Sequence, residues 1–173
     1  MDTLTHLLIG LILAFAFFND KQKVERIVTV CLSMAPDIFL SGFSFVKYCN
    51  LWFNCNIYPS WIWVPYAVSH STITFVVLAA VCYIFLRRWF LPFILGWGSA
   101  HILIDLFTHS GQYGIRFLYP FSSIVFPGFG LWTEHIAAIP GIWVCLLVLF
   151  GIIVIVNDEK KQRKKSKKRK SRG

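Results

Sequence analysis

One stretch of the chain, Trp97–Gly111, reads WGSAHILIDLFTHSG and carries three ionisable side chains through an apolar segment. His101, Asp105 and His109 recur at every fourth residue, so on a helix they share one face, each about 6 Å along the axis from the next. An ionisable side chain inside a membrane span is expensive and marks a functional site by default. The fold must therefore bring partners from other segments to this face.

The composition indicates that these partners lie in other membrane helices. Hydrophobic residues make up 57% of the 173 residues, which is above the apolar fraction of ordinary soluble domains. We therefore predict an all-α fold, an integral membrane helical bundle of about five helices. The predicted helices are Leu4–Phe18, Ile27–Phe39, Trp61–Leu86, Leu91–His109 and Ile136–Val156, and Pro65 and the polar patch Ser69–Thr72 interrupt the pattern of the third. The first lacks the positive charge and the cleavage site of a signal peptide, so we expect it to remain as a helix.

The positively charged residues are concentrated at the end of the chain, which distinguishes two parts. The formal net charge is +9, but ten of the 17 Lys and Arg residues lie in Lys160–Gly173. We predict a membrane-embedded bundle over residues 1–159 and a disordered basic cytoplasmic tail over residues 160–173. Clustered Lys and Arg also bind the phosphates of anionic lipids or nucleic acids. No aromatic residue interrupts the tail to stack on a base, so no specific nucleic-acid partner is expected.

The remaining basic residues predict the orientation, because cytoplasmic loops carry an excess of Lys and Arg. They follow the first and third predicted helices, which end on the same side as the fifth, and only Lys47 and Arg116 lie on the other side. We therefore expect a multi-pass protein of the inner or plasma membrane, with its tail in the cytoplasm and its N-terminus outside. The loop Ser41–Ser60 then faces outward, where Cys49 and Cys55 could form a disulfide.

This orientation places the buried polar residues in the outer half of the bilayer. At about 1.5 Å per residue, His6 and Asp37 lie near the outer ends of the first two helices, and His70 lies about 14 Å inward. His101 and Asp105 belong to the outer half of the fourth helix. Random placement of polar residues would seldom produce this coincidence. We therefore predict one convergent site that is open to the extracytoplasmic face.

The residue types of this site suit a divalent metal ion. Imidazole and carboxylate ligands favour zinc, manganese or iron(II) over metals that prefer thiolates, and a divalent ion compensates two aspartates in a low-dielectric bundle. We predict zinc, with manganese as the alternative. The predicted ligands are His6, Asp37, His70, His101 and Asp105. Each could instead make an ordinary contact, such as a hydrogen bond between helices.

Three further polar residues lie near the outer ends of the predicted helices. His109 could donate a proton to a leaving group, although a histidine at a helix end also interacts favourably with the helix dipole. Arg116 could bind an anionic oxygen of a substrate. His135, next to Glu134, is more typical of an interfacial residue.

The same residues fall within short motifs. The motifs are Asp2–His6, Ala35–Asp37, Ser69–Ser71, His101-x-x-x-Asp105, and Thr108–Gly114 followed by Leu118–Ser122. Their order over about residues 1–123 resembles that of the predicted inner-membrane metal-dependent hydrolases, the YdjM-like group. The resemblance implies a membrane-bound hydrolase with an unassigned substrate. Pro65 and Tyr66 stand where the family commonly has His and Arg, a departure that implies a reduced ligand set or a lost anion contact.

The order of the predicted ligands is also similar to that of zinc-dependent phospholipase C and related zinc nucleases. This similarity implies that one metal ion is held by four residues: Asp37, His70, His101 and Asp105. Asp105 would then bridge to a second ion held by His6. By the same analogy the substrate is a phosphoester, and a site among lipid headgroups suggests a lipid-linked one.

The leading functional hypothesis is thus a metal-dependent hydrolase at the outer membrane–water boundary, where a divalent ion activates water. A metal transporter would need polar groups through the cytoplasmic half, where only Thr29 and Ser33 stand out. The aspartates argue against a haem protein, and a catalytically degenerate family member is a further alternative. The chain lacks the HExxH, GxSxG, Walker and dinucleotide-binding motifs. Membrane lipids are the expected partners.

Overall fold

The fold is taken from a computed structural model, which describes residues 3–37, 63–111, 114–130 and 136–171. Within these ranges the regular structure is helical and contains no β-strand. The α-helices are α1 (Thr3–Phe17), α2 (Lys23–Met34), α3 (Trp63–Ser69), α4 (Thr72–Phe85), α5 (Arg87–Thr108) and α6 (Ile139–Lys170). Four predicted features lie outside the described residues: the loop Ser41–Ser60 as a whole, its cysteines Cys49 and Cys55, Lys47, and His135.

Short segments within or beside the described helices depart from regular α-helix. The middle of α5, Ile94–Ile102, is π-helical. A 3₁₀ turn over Ala35–Asp37 follows α2, and another over Ile136–Ala138 precedes α6. π-helical turns inside α-helices often accompany functional sites.

The helices α1 and α2 form an antiparallel hairpin. At one end the Thr3 hydroxyl lies 3.5 Å from the Asp37 carboxylate. At the other end the Arg26 guanidinium donates two hydrogen bonds to the carbonyl of Phe18. These two contacts fix both ends of the hairpin.

The helix α5 runs parallel to α2 and antiparallel to α1. Arg88, at the start of α5, pairs with Glu25, at the start of α2, over 2.9 Å. One helix length further on, His101 donates to the carbonyl of Ser33. The helix α5 therefore lies alongside α2 from Arg88 to His101.

Two glycines set the spacing of these three helices. A Cβ atom at Gly10 of α1 would clash with the side chain of Ser33. A Cβ atom at Gly96 of α5 would clash with the backbone carbonyl of Thr29. Small residues at such positions allow the backbones of neighbouring helices to approach closely.

The helix α6 lies beside α1 and runs parallel to it. Near the starts of the two helices, Trp143 donates to the Thr5 hydroxyl over 3.1 Å. Near the end of α1, Asn157 donates to the carbonyl of Phe15 over 2.8 Å. This arrangement brings the basic part of α6 next to the loop between α1 and α2.

The bundle therefore has two ends of different character. We call the first the histidine end: it comprises the start of α1, the end of α2, the junction of α3 with α4, and the end of α5. We call the second the basic end: it comprises the α1–α2 loop, the junction of α4 with α5, and the part of α6 beyond Asn157. The site and the basic residues lie at opposite ends.

The third predicted helix, Trp61–Leu86, forms two helices, and the interruption between α3 and α4 falls in the polar patch Ser69–Thr72. Ser71 is the N-cap of α4, and its hydroxyl accepts hydrogen bonds from the backbone N–H groups of Ile73 and Thr74. The same hydroxyl donates to the carbonyl of Tyr119 over 2.8 Å. The preceding helix α3 ends at Ser69, and the extended backbone of Ser71 separates it from α4.

The boundaries of the fourth predicted helix, Leu91–His109, are also corrected. The helix begins at Arg87, so Arg87 and Arg88 open α5 instead of closing the helix before it. It ends at Thr108, and the backbone of His109 is already extended. Leu86 alone separates α4 from α5, which makes the two helices a tight antiparallel pair.

The fifth predicted helix and the tail require a further correction. The helix α6 continues from Ile139 to Lys170, through most of the segment that we expected to be disordered. Lys and Arg have high helix propensity, and Arg163 lies 3.8 Å from Glu159 one turn before it. Local helix propensity therefore outweighs charge repulsion in this segment.

The distribution of polar and apolar side chains is inverted relative to a soluble protein. Buried positions include many polar side chains, among them every described histidine. Large apolar side chains are exposed along α4 and α6, including Val76, Phe85, Val148 and Ile155. Two helices, α5 and the part of α6 up to Lys167, are long and apolar enough to cross a membrane, while α1 and α4 are apolar but shorter.

Candidate metal centre

Five ionisable side chains converge at the histidine end. They come from four separate parts of the chain: α1, the 3₁₀ turn after α2, the junction of α3 with α4, and α5. They are His6, Asp37, His70, His101 and Asp105, and none is more than 1% exposed. The structure thus brings together all five residues that the sequence predicts as metal ligands.

The Asp105 carboxylate lies between the three imidazoles. Its Oδ1 atom is 3.1 Å from Nε2 of His6. Its Oδ2 atom is 3.4 Å from Nε2 of His70 and 3.3 Å from Nε2 of His101. One oxygen of this carboxylate therefore faces His6, and the other faces His70 and His101.

The Asp37 carboxylate divides in the same way. Its Oδ1 atom is 3.5 Å from Nε2 of His70 and 3.6 Å from Nε2 of His101. Its Oδ2 atom is 3.9 Å from Nε2 of His6. One oxygen of each carboxylate thus faces the His70 and His101 pair, and the other faces His6.

The three imidazoles are oriented by backbone carbonyls on their outer sides. Nδ1 of His6 donates to the carbonyl of Ala100, and Nδ1 of His101 donates to that of Ser33, each over 2.8 Å. Nδ1 of His70 donates to the carbonyl of Tyr66 over 3.0 Å. Because a carbonyl only accepts, the proton of each neutral ring is on Nδ1 and the Nε2 lone pair points into the cluster.

The local structure explains why these carbonyls are available. Ser33 lies in the last turn of α2, where helix carbonyls can lack partners further along the helix. The Tyr66 carbonyl in α3 also accepts the backbone N–H of His70 and the Ser69 hydroxyl, so it is a shared acceptor. Ala100 lies in the π-helical segment of α5, where the hydrogen-bond register changes. Each histidine is therefore held by an outer hydrogen bond of the kind that orients metal ligands in proteins.

The interior of the cluster consists of hydrogen-bond acceptors. Nε2 of His70 and Nε2 of His101 face each other at 3.0 Å. Asp37 Oδ1 and Asp105 Oδ2 are buried and have no donor among the described residues. Buried acceptors that face one another are costly, and a cation between them removes that cost.

The distances fit a tetrahedral metal site. Ligand atoms about 2.1 Å from one zinc ion lie about 3.4 Å from one another in a tetrahedron. The separations that involve the inner atoms of His70 and His101 range from 3.0 Å between the two imidazoles to 3.6 Å between His101 and Asp37. His70, His101 and Asp105 form one group that can hold an ion, and His6, Asp37 and His101 form another.

His109 belongs to the surroundings of this site. It is 1% exposed, and its Nδ1 atom lies 2.9 Å from Oδ1 of Asp105. Arg116, the other predicted catalytic residue, is half-buried in the segment 114–130 and makes no ion pair with the five residues. Its assignment to a substrate oxygen stays a prediction.

Aromatic contacts support two of the imidazoles. The rings of His6 and His101 stack with their centroids 3.9 Å apart. The Tyr66 ring packs on His70 at the same distance and is only 2% exposed. Tyr66 therefore supports the His70 ring by packing.

Sequence reasoning missed the groups that orient the histidines. The carbonyls of Ser33, Tyr66 and Ala100 carry no signal in the sequence, because every residue has a carbonyl. The Ser69 hydroxyl, 3.0 Å from Nδ1 of His70, could have been found from its position next to that histidine.

Comparison with known proteins identifies the family. The family model described as YdjM inner membrane protein matches residues 1–166. No curated protein and no solved structure matches the chain significantly, so similarity to zinc-dependent phospholipase C is not shown. The matched segment covers nearly the whole chain and every residue of the cluster. The chain belongs to the YdjM inner membrane protein family.

Proposed function

We propose that this protein is a multi-pass membrane hydrolase that depends on a divalent metal ion, with zinc first and manganese second. The observation that carries the proposal is the buried group of acceptors formed by the three Nε2 atoms and the two carboxylates. Such a group is costly to bury without compensating positive charge, and its nitrogen and oxygen ligands suit zinc or manganese.

The residues divide between two positions for an ion. Asp37, His70, His101 and Asp105 would hold the first. His6, Oδ2 of Asp37 and Oδ1 of Asp105 face the second position, so Asp105 would contribute to both positions. A divalent ion bound there supplies Lewis acidity and lowers the pKa of a coordinated water.

The surrounding residues would keep this arrangement rigid. The carbonyls of Ser33, Tyr66 and Ala100 hold the three imidazoles in the tautomer that presents Nε2 inward. His109 holds Oδ1 of Asp105 over 2.9 Å. We assign His109 a second task, the donation of a proton to the leaving group, because its imidazole is ionisable at neutral pH and lies beside the proposed ligand Asp105.

The surface of the bundle supports its placement across a membrane. The exposed faces of α4 and α6 are apolar, and the basic residues gather at the end opposite the cluster. By the excess of Lys and Arg in cytoplasmic loops, the basic end lies in the cytoplasm and the histidine end faces outward.

The segment 114–130 supports a substrate at the lipid surface. The backbone N–H of Phe129 donates to the carbonyl of Phe107 over 2.7 Å, which ties this segment to the end of α5 near His109. Phe121, Ile124 and Phe129 are 84%, 72% and 77% exposed. Exposed apolar side chains of this kind mark a membrane or ligand contact. We therefore propose a lipid-linked substrate, and the order of the ligands along the chain suggests a phosphoester.

A direct assay tests this function. The purified protein, loaded with zinc or manganese in mixed micelles, is given a panel of phospholipids, and release of the headgroup is measured. We expect hydrolysis that is lost in Asp105→Asn and kept in Asp20→Asn, a matched change at the exposed basic end. A fully metal-loaded protein that hydrolyses no phosphoester would overturn the proposal.

A second candidate function is metal binding without turnover. It is favoured by Tyr66, which packs against His70 at the position where the family motif commonly has Arg. A protein with full metal content, no activity on phosphoesters, and gain of activity in Tyr66→Arg would support this candidate.

A further inference from the structure

A groove at the basic end is separate from the metal centre. Its cavity of about 690 Å³ is lined by the end of α1 and the following loop, by Arg26 of α2, and by one face of α6. The metal centre lies at the other end of the same helices. The groove is therefore distinct from the metal centre.

The walls of the groove are held together by specific contacts. Asn157 of α6 donates to the carbonyl of Phe15 over 2.8 Å. Lys161 of α6 forms an ion pair of 2.6 Å with Asp20 in the α1–α2 loop. The guanidinium of Arg26 lies over the Phe15 ring, 4.3 Å from its centroid. These contacts join α6 to α1 and to the α1–α2 loop, and they hold the walls of the groove in place.

The charge of the groove is strongly positive. Its lining includes one carboxylate, that of Asp20, and six cationic side chains: Lys21, Arg26, Lys160, Lys161, Lys164 and Lys165. Asp20 is already paired with Lys161 and Arg26. The other four lysines make no ion pair among the described residues, so their charge is available to an anion.

The helix α6 separates its charges by face. Lys160, Lys161 and Lys164 line the groove. Asp158 and Glu159 line a different depression, together with Arg163. The basic face is therefore turned toward α1, and the acidic face is turned away.

Apolar surface lies directly beside these cations. Phe15, Phe17 and Phe18 form the α1 side of the groove, and the Phe17 side chain is 58% exposed. The apolar parts of α1 and α6 both end at this level, at Phe18 and Val156. Cations next to an apolar wall, at the point where apolar helices become charged, match the boundary between phospholipid headgroups and acyl chains.

We propose that this groove binds the headgroup of an anionic phospholipid in the membrane leaflet at the basic end. The phosphate lies among Lys160, Lys164 and Lys165, and the first part of an acyl chain lies against Phe17. The site fixes the α1–α2 loop to α6 through a lipid, in addition to the Asp20 ion pair. This inference is independent of hydrolase activity.

Native mass spectrometry of the detergent-purified full chain tests the site, with phosphatidylglycerol and phosphatidylcholine as probes. We expect preferential retention of phosphatidylglycerol. The double variant Lys160→Gln/Lys164→Gln weakens binding by about fivefold per lysine. The control Lys167→Gln/Lys170→Gln removes the same charge from the same helix outside the groove and changes binding less than twofold.

Other outcomes would overturn the site. Equal losses in the two double variants would mean that the tail attracts anionic lipid without a groove. Equal retention of the two lipids by the unaltered protein would exclude recognition of the headgroup charge. Phe17→Ser should weaken phosphatidylglycerol binding and leave inorganic phosphate binding unchanged, and an unchanged lipid affinity would remove the acyl contact from the proposal. Helical circular dichroism confirms that each variant is folded.

Discussion

The Nε2 atoms of His70 and His101 face each other at 3.0 Å in a fully buried site. The outer nitrogen of each ring donates to a backbone carbonyl, so in the neutral rings both inner atoms carry lone pairs. Two lone pairs at this distance repel unless a proton or a metal ion lies between them. The two aspartates beside them favour a divalent ion over a single proton, because their charges also need compensation.

His109→Gln should weaken metal binding without removing a ligand of either group of three. The Nδ1 atom of His109 orients Asp105, and loss of such outer partners typically lowers metal affinity by about 10- to 100-fold. Competition with a chelator of known affinity measures the change. Arg116→Gln is the control, because Arg116 makes no ion pair with the cluster, and an equal loss in both variants would contradict the role of His109.

Ser71→Ala should destabilise the junction between α3 and α4. The variant loses the N-cap of α4 and the bond to the Tyr119 carbonyl, and loss of a cap costs about 1 kcal/mol. Thermal unfolding in detergent measures the effect, with Ser99→Ala of α5 as the control. An unchanged midpoint for Ser71→Ala would show that Ser71 does not cap α4.

Gly96→Ala should separate α5 from α2. The added Cβ atom would meet the Thr29 carbonyl and the Leu32 side chain, and overpacking of this kind costs about 1–3 kcal/mol. Gly151→Ala is the matched control, because a Cβ atom at Gly151 of α6 meets nothing within 4 Å. Equal unfolding temperatures for the two variants would contradict the close packing of α2 and α5.

Lys161→Ala should raise the pKa of Asp20. The ion pair and hydrogen bond with Lys161 hold the pKa of this exposed carboxyl below its ordinary value. The stabilisation is therefore present at neutral pH and is lost as the pH falls through the folded-state pKa. Nuclear magnetic resonance titration of the Asp20 carboxyl measures the change, and Lys167→Ala should leave it unaltered. A pKa of Asp20 that is unchanged in Lys161→Ala would exclude the contact between α6 and the loop.

The sequence was sufficient to predict the convergence of the metal-ligand candidates. His6, Asp37, His70 and the pair His101 and Asp105 are ionisable residues in apolar surroundings, and helix length alone gives their depths. Because a buried charge must find partners, few arrangements of these helices satisfy all five residues. The structure brings the three imidazoles within 3.1 to 3.4 Å of the Asp105 carboxylate and within 3.5 to 3.9 Å of the Asp37 carboxylate.

Other features depended on interactions that have no local signal. The polar patch Ser69–Thr72 marks the break at Ser71, but the bond from the Ser71 hydroxyl to the distant carbonyl of Tyr119 has no signal in the sequence. The tail beyond Lys160 is helical because helix propensity and contacts with the α1–α2 loop add to each other. The amino-acid composition of the tail indicates its positive charge but not its helical structure.

The metal content of the purified protein tests the central claim most directly. Inductively coupled plasma mass spectrometry is applied to the unaltered chain, to His101→Ala, and to His6→Ala, with Asp20→Asn as the control. We expect bound zinc or manganese in the unaltered chain and in Asp20→Asn, and loss of the metal in His101→Ala. His6→Ala should retain the ion held by the other four ligands. An unaltered chain that stays free of metal after reloading with zinc and manganese would contradict the metal centre.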